Sequence, residues 1–155
     1  MSWPRKLREP RPADMPFIMD SWQRSFSRSP FAGVVPNSKW LENSRALVTS
    51  LLARGAKVVV ACNPEDEDQI LGWACAEQDE YKCVVHYVYV KDPYRKDGLS
   101  TELLGALLPT EPDEKDTFYT HRQAGDSPGA QLVTVLQKAG YKMIWAPEIA
   151  RRKSL

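Results

Sequence analysis

The run Val84-Val85-His86-Tyr87-Val88-Tyr89-Val90-Lys91-Asp92-Pro93-Tyr94-Arg95-Lys96-Asp97-Gly98-Leu99-Ser100-Thr101-Glu102-Leu103-Leu104 leaves this chain few ways to fold. Its opening is rich in Val and Tyr and reads as a buried strand. Leu99, Leu103, Leu104, Leu107 and Leu108 recur as one face of a helix. Between them lies a short basic loop ending in Gly98. A strand that feeds a helix through such a loop aims several backbone N–H groups one way. The helix dipole adds to them, so the turn is suited to an anion.

The rest of the chain falls into elements around this run. Leu7 marks a short first strand, closed by Pro10 and Pro12. Asp14 suits an N-cap and Pro16 a first turn, ahead of Phe17, Ile18, Ser21, Trp22, Ser25 and Phe26 at helical spacing. Residues 28–37 form a loop. Trp40, Leu41, Leu47, Val48, Leu51 and Leu52 predict a second helix, stopped at Gly55. Residues 57–62 and 70–77 predict a hairpin around an acidic turn, Asn63 to Asp68. After the leucine helix comes an acidic loop (110–116), then a short strand, Phe118 to His121. Ser127 and Pro128 open a last helix with Leu132, Val133, Val135 and Leu136. Gly140 ends it, and Tyr141 to Trp145 is the final strand. The expected order is β-α-α-β-β-β-α-β-α-β.

At 155 residues the chain suits one domain, residues 1–155, with a core from about 6 to 147. A hydrophobic share of 43% with 26% charged residues is that of a soluble globular protein. No apolar run approaches a membrane span, and no apolar segment follows the basic N-terminus, so no secretory leader is expected. A net charge of +1 names no partner. Arg5, Lys6, Arg8 and Arg11 at one end, and Arg151, Arg152 and Lys153 at the other, could touch nucleic acid, but terminal charges are ordinarily solvated. The odd number of cysteines (Cys62, Cys75, Cys83) points to a reducing, cytoplasmic setting. Cys83 and His86 fall on opposite faces of a strand and cannot share a metal. No phosphate loop, H-E-x-x-H or C-x-x-C is present, so no metal is expected.

The spacing Val90, four residues, Arg95, two residues, Gly98, one residue, Ser100 resembles the acyl-CoA signature of the GNAT N-acetyltransferase superfamily. That signature ends Arg/Gln-x-x-Gly-x-Gly/Ala. Here Lys96 stands where the family has its Gly after the Arg, and Ser100 where it has its last Gly or Ala. The opening L-R-E-P-R-P-A-D-M-P-F-I, the I-L-G-W-A return strand and K-A-G-Y after the last helix resemble the family at corresponding points, as does the element order. The resemblance implies the GNAT acyl-CoA N-acyltransferase fold, an α/β (α+β) architecture with a mixed, mostly antiparallel sheet, splayed central strands and flanking helices.

It also implies acetyl-CoA as donor and a small-molecule or peptide amine as acceptor. The turn Arg95, Lys96, Asp97, Gly98, Leu99 and Ser100 would hold the pyrophosphate. Strand backbone at Tyr87, Val88, Tyr89 and Val90 would hold the pantetheine, and an amide there would stabilise the oxyanion. The acceptor ammonium must lose a proton before it attacks. Family members often place a Glu for this near Val84. Counting along the strand, His86 lies on the same face as Val84 and Val88, and an ordinary His titrates near ~6.5, which suits a base. A satisfied core histidine is the competing reading. His121 is a second candidate; Glu77 and Glu80, at strand ends, are expected to be solvated. The family often has a Tyr acid where this chain has Leu136, and Tyr119 is its possible substitute. Two further readings stay open: an acyl-CoA-binding protein with altered chemistry, and an enzyme acting on a nucleobase or protein. A homodimer is compatible with the sequence, which carries no signal of oligomeric state.

Overall fold

Where the sequence runs apolar and β-branched the chain extends, and where its apolar residues recur at helical spacing it coils. The computed structural model describes residues 3–26, 37–95, 97–109, 116–120, 133–134 and 136–151; the side chains of 25, 26, 37–41, 44 and 151 lie outside that description. Its strands are β1 (Lys6–Arg8), β2 (Lys57–Asn63), β3 (Asp66–Gln78), β4 (Lys82–Val90), β5 (Asp116–Tyr119) and β6 (Met143–Trp145). They hydrogen-bond in chain order as one sheet. The pairs from β1 to β4 are antiparallel, and β4–β5 and β5–β6 are parallel. Helices α1 (Met15–Phe26) and α2 (Asn37–Ala53) connect β1 to β2, and α3 (Leu99–Gly105) follows β4. Residues 133–134 and 136–138 are helical and precede β6. The expected order and the mixed sheet hold. The loops at 28–36 and 110–115, Ser127, Pro128, Leu132 and Val135 lie outside the described residues.

The sheet separates two apolar layers. On one side Leu99, Leu103, Leu104, Leu108 and Leu136 pack against Leu71, Ala74, Val85 and Val90. On the other, Ile18, Trp22, Val48 and Leu51 pack against Val60, Trp73, Cys75 and Tyr87. Each large side chain so buried stabilises the fold by roughly 1.5–3 kcal/mol. The aromatic layer is oriented as well as buried. Trp22 stacks on Tyr87 with ring centroids 5.7 Å apart, and the Trp73 indole donates to Ser21 Oγ at 2.8 Å. Between β3 and β4 the backbones come close: a Cβ on Gly72 would lie 2.6 Å from the Tyr89 carbonyl oxygen, so only glycine fits.

Three local expectations are corrected. β3 begins at Asp66 and shortens the acidic turn, because its first residues meet the basic N-terminus. Lys6 reaches Glu67 at 2.5 Å, Arg11 pairs with the same carboxylate, and Arg8 donates to the Glu67 carbonyl at 2.9 Å. Asp14 precedes α1, but its carboxylate takes the Arg8 guanidinium (2.7 and 2.9 Å) and the Arg11 N–H (2.6 Å) rather than the helix amides. With Arg5 paired to Asp97 and Glu102, all four N-terminal cations have anionic partners within the chain. α3 ends at Gly105, and Leu107 and Leu108 follow in a turn, with Leu108 still buried.

Two irregularities shape the centre of the sheet. Cys75 pairs with Tyr87 but Ala76 pairs with Val85, so His86 is an extra residue, a β-bulge. The bulge resets the alternation. Val84 is buried beside Ala146 and Ile149, on the face His86 takes, whereas Val88 lies in the leucine layer with Val85 and Val90. The expectation that His86 shares a face with Val88 is therefore wrong. A period-two reading cannot see an inserted residue. The second irregularity is where β4 and β5 part. They pair over Lys82–Val85 and Asp116–Tyr119, and the Thr120 N–H reaches the Val85 carbonyl at 3.1 Å. From His86 to Val90, β4 has no β5 partner among the described residues.

Candidate active site

Beyond the parting, the C-terminal half of β4 presents backbone rather than side chains. Tyr87 stacks into the aromatic layer and Tyr89 meets Phe17 edge-on at 5.9 Å, while Val88 and Val90 point into the leucine layer. Alternation turns the N–H and C=O of Val88 and Val90 away from β3, to the side where β4 has no partner among the described residues. The Val90 carbonyl takes the Arg95 Nε at 2.7 Å. A single 3-10 turn, Asp92–Tyr94, then leads to Arg95, whose guanidinium also pairs with Asp92.

Gly98 stands before α3 at φ +77°, a left-handed conformation that side chains resist. Among the described residues, no atom other than its chain neighbours would lie within 4 Å of a Cβ there. A carboxylate in this turn would repel an anion. Asp97 is neutralised: it accepts from Arg5 Nη1 at 2.8 Å and from the Trp3 N–H at 3.0 Å. Trp3 is anchored in turn by its indole N–H on the Pro93 carbonyl, at 3.1 Å. Leu99 is buried and Ser100 half-buried, so both offer the site their backbone; Lys96 lies outside the described residues. A phosphate chain is the ligand that the sequence pattern leads one to expect at this turn.

The bulge is built the opposite way, from side chains. The His86 imidazole is fully buried, with Nε2 2.8 Å from Glu77 Oε1 and Nδ1 2.7 Å from Thr120 Oγ1. Glu77 also receives the Arg54 guanidinium, with Nε on Oε2 at 3.1 Å and Nη2 on Oε1, and Arg54 reaches the Ile149 carbonyl at 3.1 Å. Arg54 and Glu77 side chains are each 7% exposed. Burial works to raise the Glu77 pKa, but hydrogen bonds from His86 and Arg54 and their charges outweigh it, holding the carboxyl below its ordinary value. Burial, helped by the Arg54 charge, lowers the His86 pKa against the pull of Glu77. A carboxylate only accepts, so Nε2 carries the proton. In the neutral ring the Nδ1 lone pair then accepts from the Thr120 hydroxyl.

The site residues expected from sequence separate here. His86 sits where the strands part, between two polar partners. Tyr119 pairs with Val85 and packs in the leucine layer, on the other face, so the structure does not bring it to His86. His121 lies outside the described residues. Glu80 is exposed as expected, but Glu77 is buried, because Arg54 and His86 supply the charge and hydrogen bonds that offset its desolvation. Leu136 is buried in the leucine layer. All three cysteines are buried and in no disulfide; burial and then the Glu77 charge push the Cys75 thiol up, away from a nucleophile's range. Among the described residues no three His, Cys, Asp or Glu side chains come together to hold a metal, and no helix is long and apolar enough to cross a membrane. Sequence reasoning missed Arg54 and Thr120 and misjudged Glu77. The faint signals were a charge closing the apolar run Ile70–Ala76 and an Arg just before a helix-ending Gly.

The chain resembles known proteins in family and in fold. The acetyltransferase (GNAT) family model matches residues 15–124. No curated protein matches the chain. Among solved structures, a provisionally assigned acetyl transferase from Pyrococcus furiosus superposes with a TM-score of 0.62 at 21% identity, covering 89% of this chain and 93% of its own. Similarly assigned proteins from Clostridium difficile 630 (TM-score 0.55, 14% identity, 90% and 92% covered) and Deinococcus radiodurans R1 (0.54, 16%, 92% and 87%) share the fold.

Proposed function

The chain belongs to the acetyltransferase (GNAT) family, and from that premise we propose that it transfers the acetyl group of acetyl-CoA to the primary amine of a small molecule or peptide, directly, in a ternary complex. The observation that carries this reading is the buried His86 at the point where β4 and β5 part, held between Glu77 and Thr120. The N–H groups of the Arg95–Ser100 turn bind the pyrophosphate. The backbone of Val88 and the Val90 N–H, turned away from β3, lie along the pantetheine, and an N–H there meets the developing oxyanion. His86 takes the proton that the amine gives up. Three buried cysteines in no disulfide agree with work in the reducing cytoplasm.

The leaving group needs little help, since a thiol pKa near ~8.5 makes the thiolate a tolerable departing species. Leu136, in place of a hydroxyl-bearing acid, favours a second reading in which the fold binds acyl-CoA without turnover.

The test separates the two. Purified protein is assayed for CoA release from acetyl-CoA with alkyl, arylalkyl, polyamine and peptide amines. Turnover supports the first reading; CoA-dependent stabilisation without turnover supports the second. In the active case kcat/KM rises with pH through an inflection below 6.5, because the His86 pKa is lowered, and the acceptor's own ammonium adds a higher limb. His86→Gln cuts kcat by roughly 10²–10⁴, spares CoA affinity and removes the lower inflection. A Gln variant with the wild-type rate and profile makes His86 structural.

A further inference from the structure

His86 has no nitrogen open to a substrate: the ring is buried, Nε2 faces Glu77 and Nδ1 faces Thr120. If it exchanges protons, it does so through a neighbour. Glu77 is the wrong one, since its carboxylate is tied to Arg54 and has no proton to give. Thr120 is amphoteric and stands directly after β5, at the last hydrogen bond between β4 and β5 among the described residues.

We propose that the Thr120 hydroxyl is the proton relay between His86 and the reacting groups, an inference that rests on the acetyl-transfer reading above. As the C–N bond forms, the amine nitrogen passes one proton to Thr120 Oγ1, which passes its own to His86 Nδ1. The imidazolium is then paired with Glu77, itself held by Arg54. When the C–S bond breaks, the electron pair leaves on sulfur and the proton returns by the same route to the thiolate. One amine proton has moved to one thiol, and the enzyme is restored. A single device thus serves as base and acid, which gives Leu136 a rationale: this chain needs no separate acid there.

The chain has two histidines, so ¹⁵N spectra of the imidazoles are simple to assign with His121→Gln. In the free protein His86 should carry its proton on Nε2, with Nδ1 a hydrogen-bonded acceptor whose resonance moves in Thr120→Val. A proton on Nδ1 in the neutral ring would overturn the relay, whatever acceptor is later found. With the fastest amine of the panel, Thr120→Val should lower kcat about 10²-fold, leave the donor KM unchanged and flatten the lower pH inflection. Thr120→Ser should recover the rate to within a few-fold, with a proton inventory curved as for two protons in flight. Equal loss in Val and Ser variants makes the methyl's packing the cause and sinks the proposal. If His86→Gln is impaired and Thr120→Val is not, the relay alone is wrong. If both match wild type, the base reading itself fails.

Discussion

The two halves of β4 bind charge by opposite means. At its C-terminal end, the turn from Lys91 to Gly98 offers backbone, a glycine at positive φ and ion pairs near the surface. At its middle, the bulge at His86 gathers four polar side chains, buried Arg54, Glu77 and His86 and half-buried Thr120, which hydrogen-bond one another while Arg54 also reaches the Ile149 carbonyl. An open turn costs the fold little and gains its energy when something binds. A buried network has its desolvation already offset inside the fold, and it holds an imidazole in one geometry.

The sharpest way to break the contrast is Glu77→Ala. It leaves the buried Arg54 guanidinium without its anion, and a buried pair broken from one side costs about 3–5 kcal/mol. Urea unfolding should show that loss, whereas Asp92→Ala, which removes an 83% exposed carboxylate from the Arg95 pair, should leave the midpoint in place. Similar small changes for both would mean that the network is not buried.

Binding should show the reverse dependence. At a hundredfold excess over Kd, CoA should stabilise the protein by about 2.7 kcal/mol, a rise in Tm of several degrees. Gly98→Val should abolish that rise, because its side chain would stand where the phosphate chain is expected to approach the backbone, at a φ that side chains resist. An unchanged shift would show that the anion site lies elsewhere. The smallest effect belongs to Arg95→Ala. The guanidinium is turned back onto the Val90 carbonyl and Asp92, so affinity for CoA should fall less than about tenfold, and the fall should be larger at low salt.

The same contrast explains what the sequence could disclose. Strand, turn and helix of the anion site are contiguous, so Val90, Arg95, Gly98 and the leucines could be read together. The network draws on the end of α2, the end of β3, the middle of β4 and the residue after β5; no local pattern joins Arg54 to Thr120. His86 drew notice as a polar residue among valines, but its partners could not. Glu77 was misjudged because strand ends are ordinarily wet, and its burial depends on an Arg 23 residues away. The N-terminal cations read as solvated charges, yet each is paired within the chain, and ion pairs from the N-terminal segment to Glu67 at the start of β3 are a tertiary fact.

Position 86 has one property that chemistry does not enter. It is an extra residue on its strand, with no place in the ladder, beyond which Tyr87 and Tyr89 fall in one layer and Val88 and Val90 in the other. Removing the residue, rather than replacing it, would join Val85, opposite Ala76, directly to Tyr87, opposite Cys75, a regular ladder in which all four keep their layers and only the imidazole is lost. Any side chain that tolerates burial keeps the count, which is why His86→Gln can report on proton transfer without disturbing the register. Substitution and deletion at this one position should therefore both spare the pairing of β3 with β4 and both remove the imidazole from between Glu77 and Thr120.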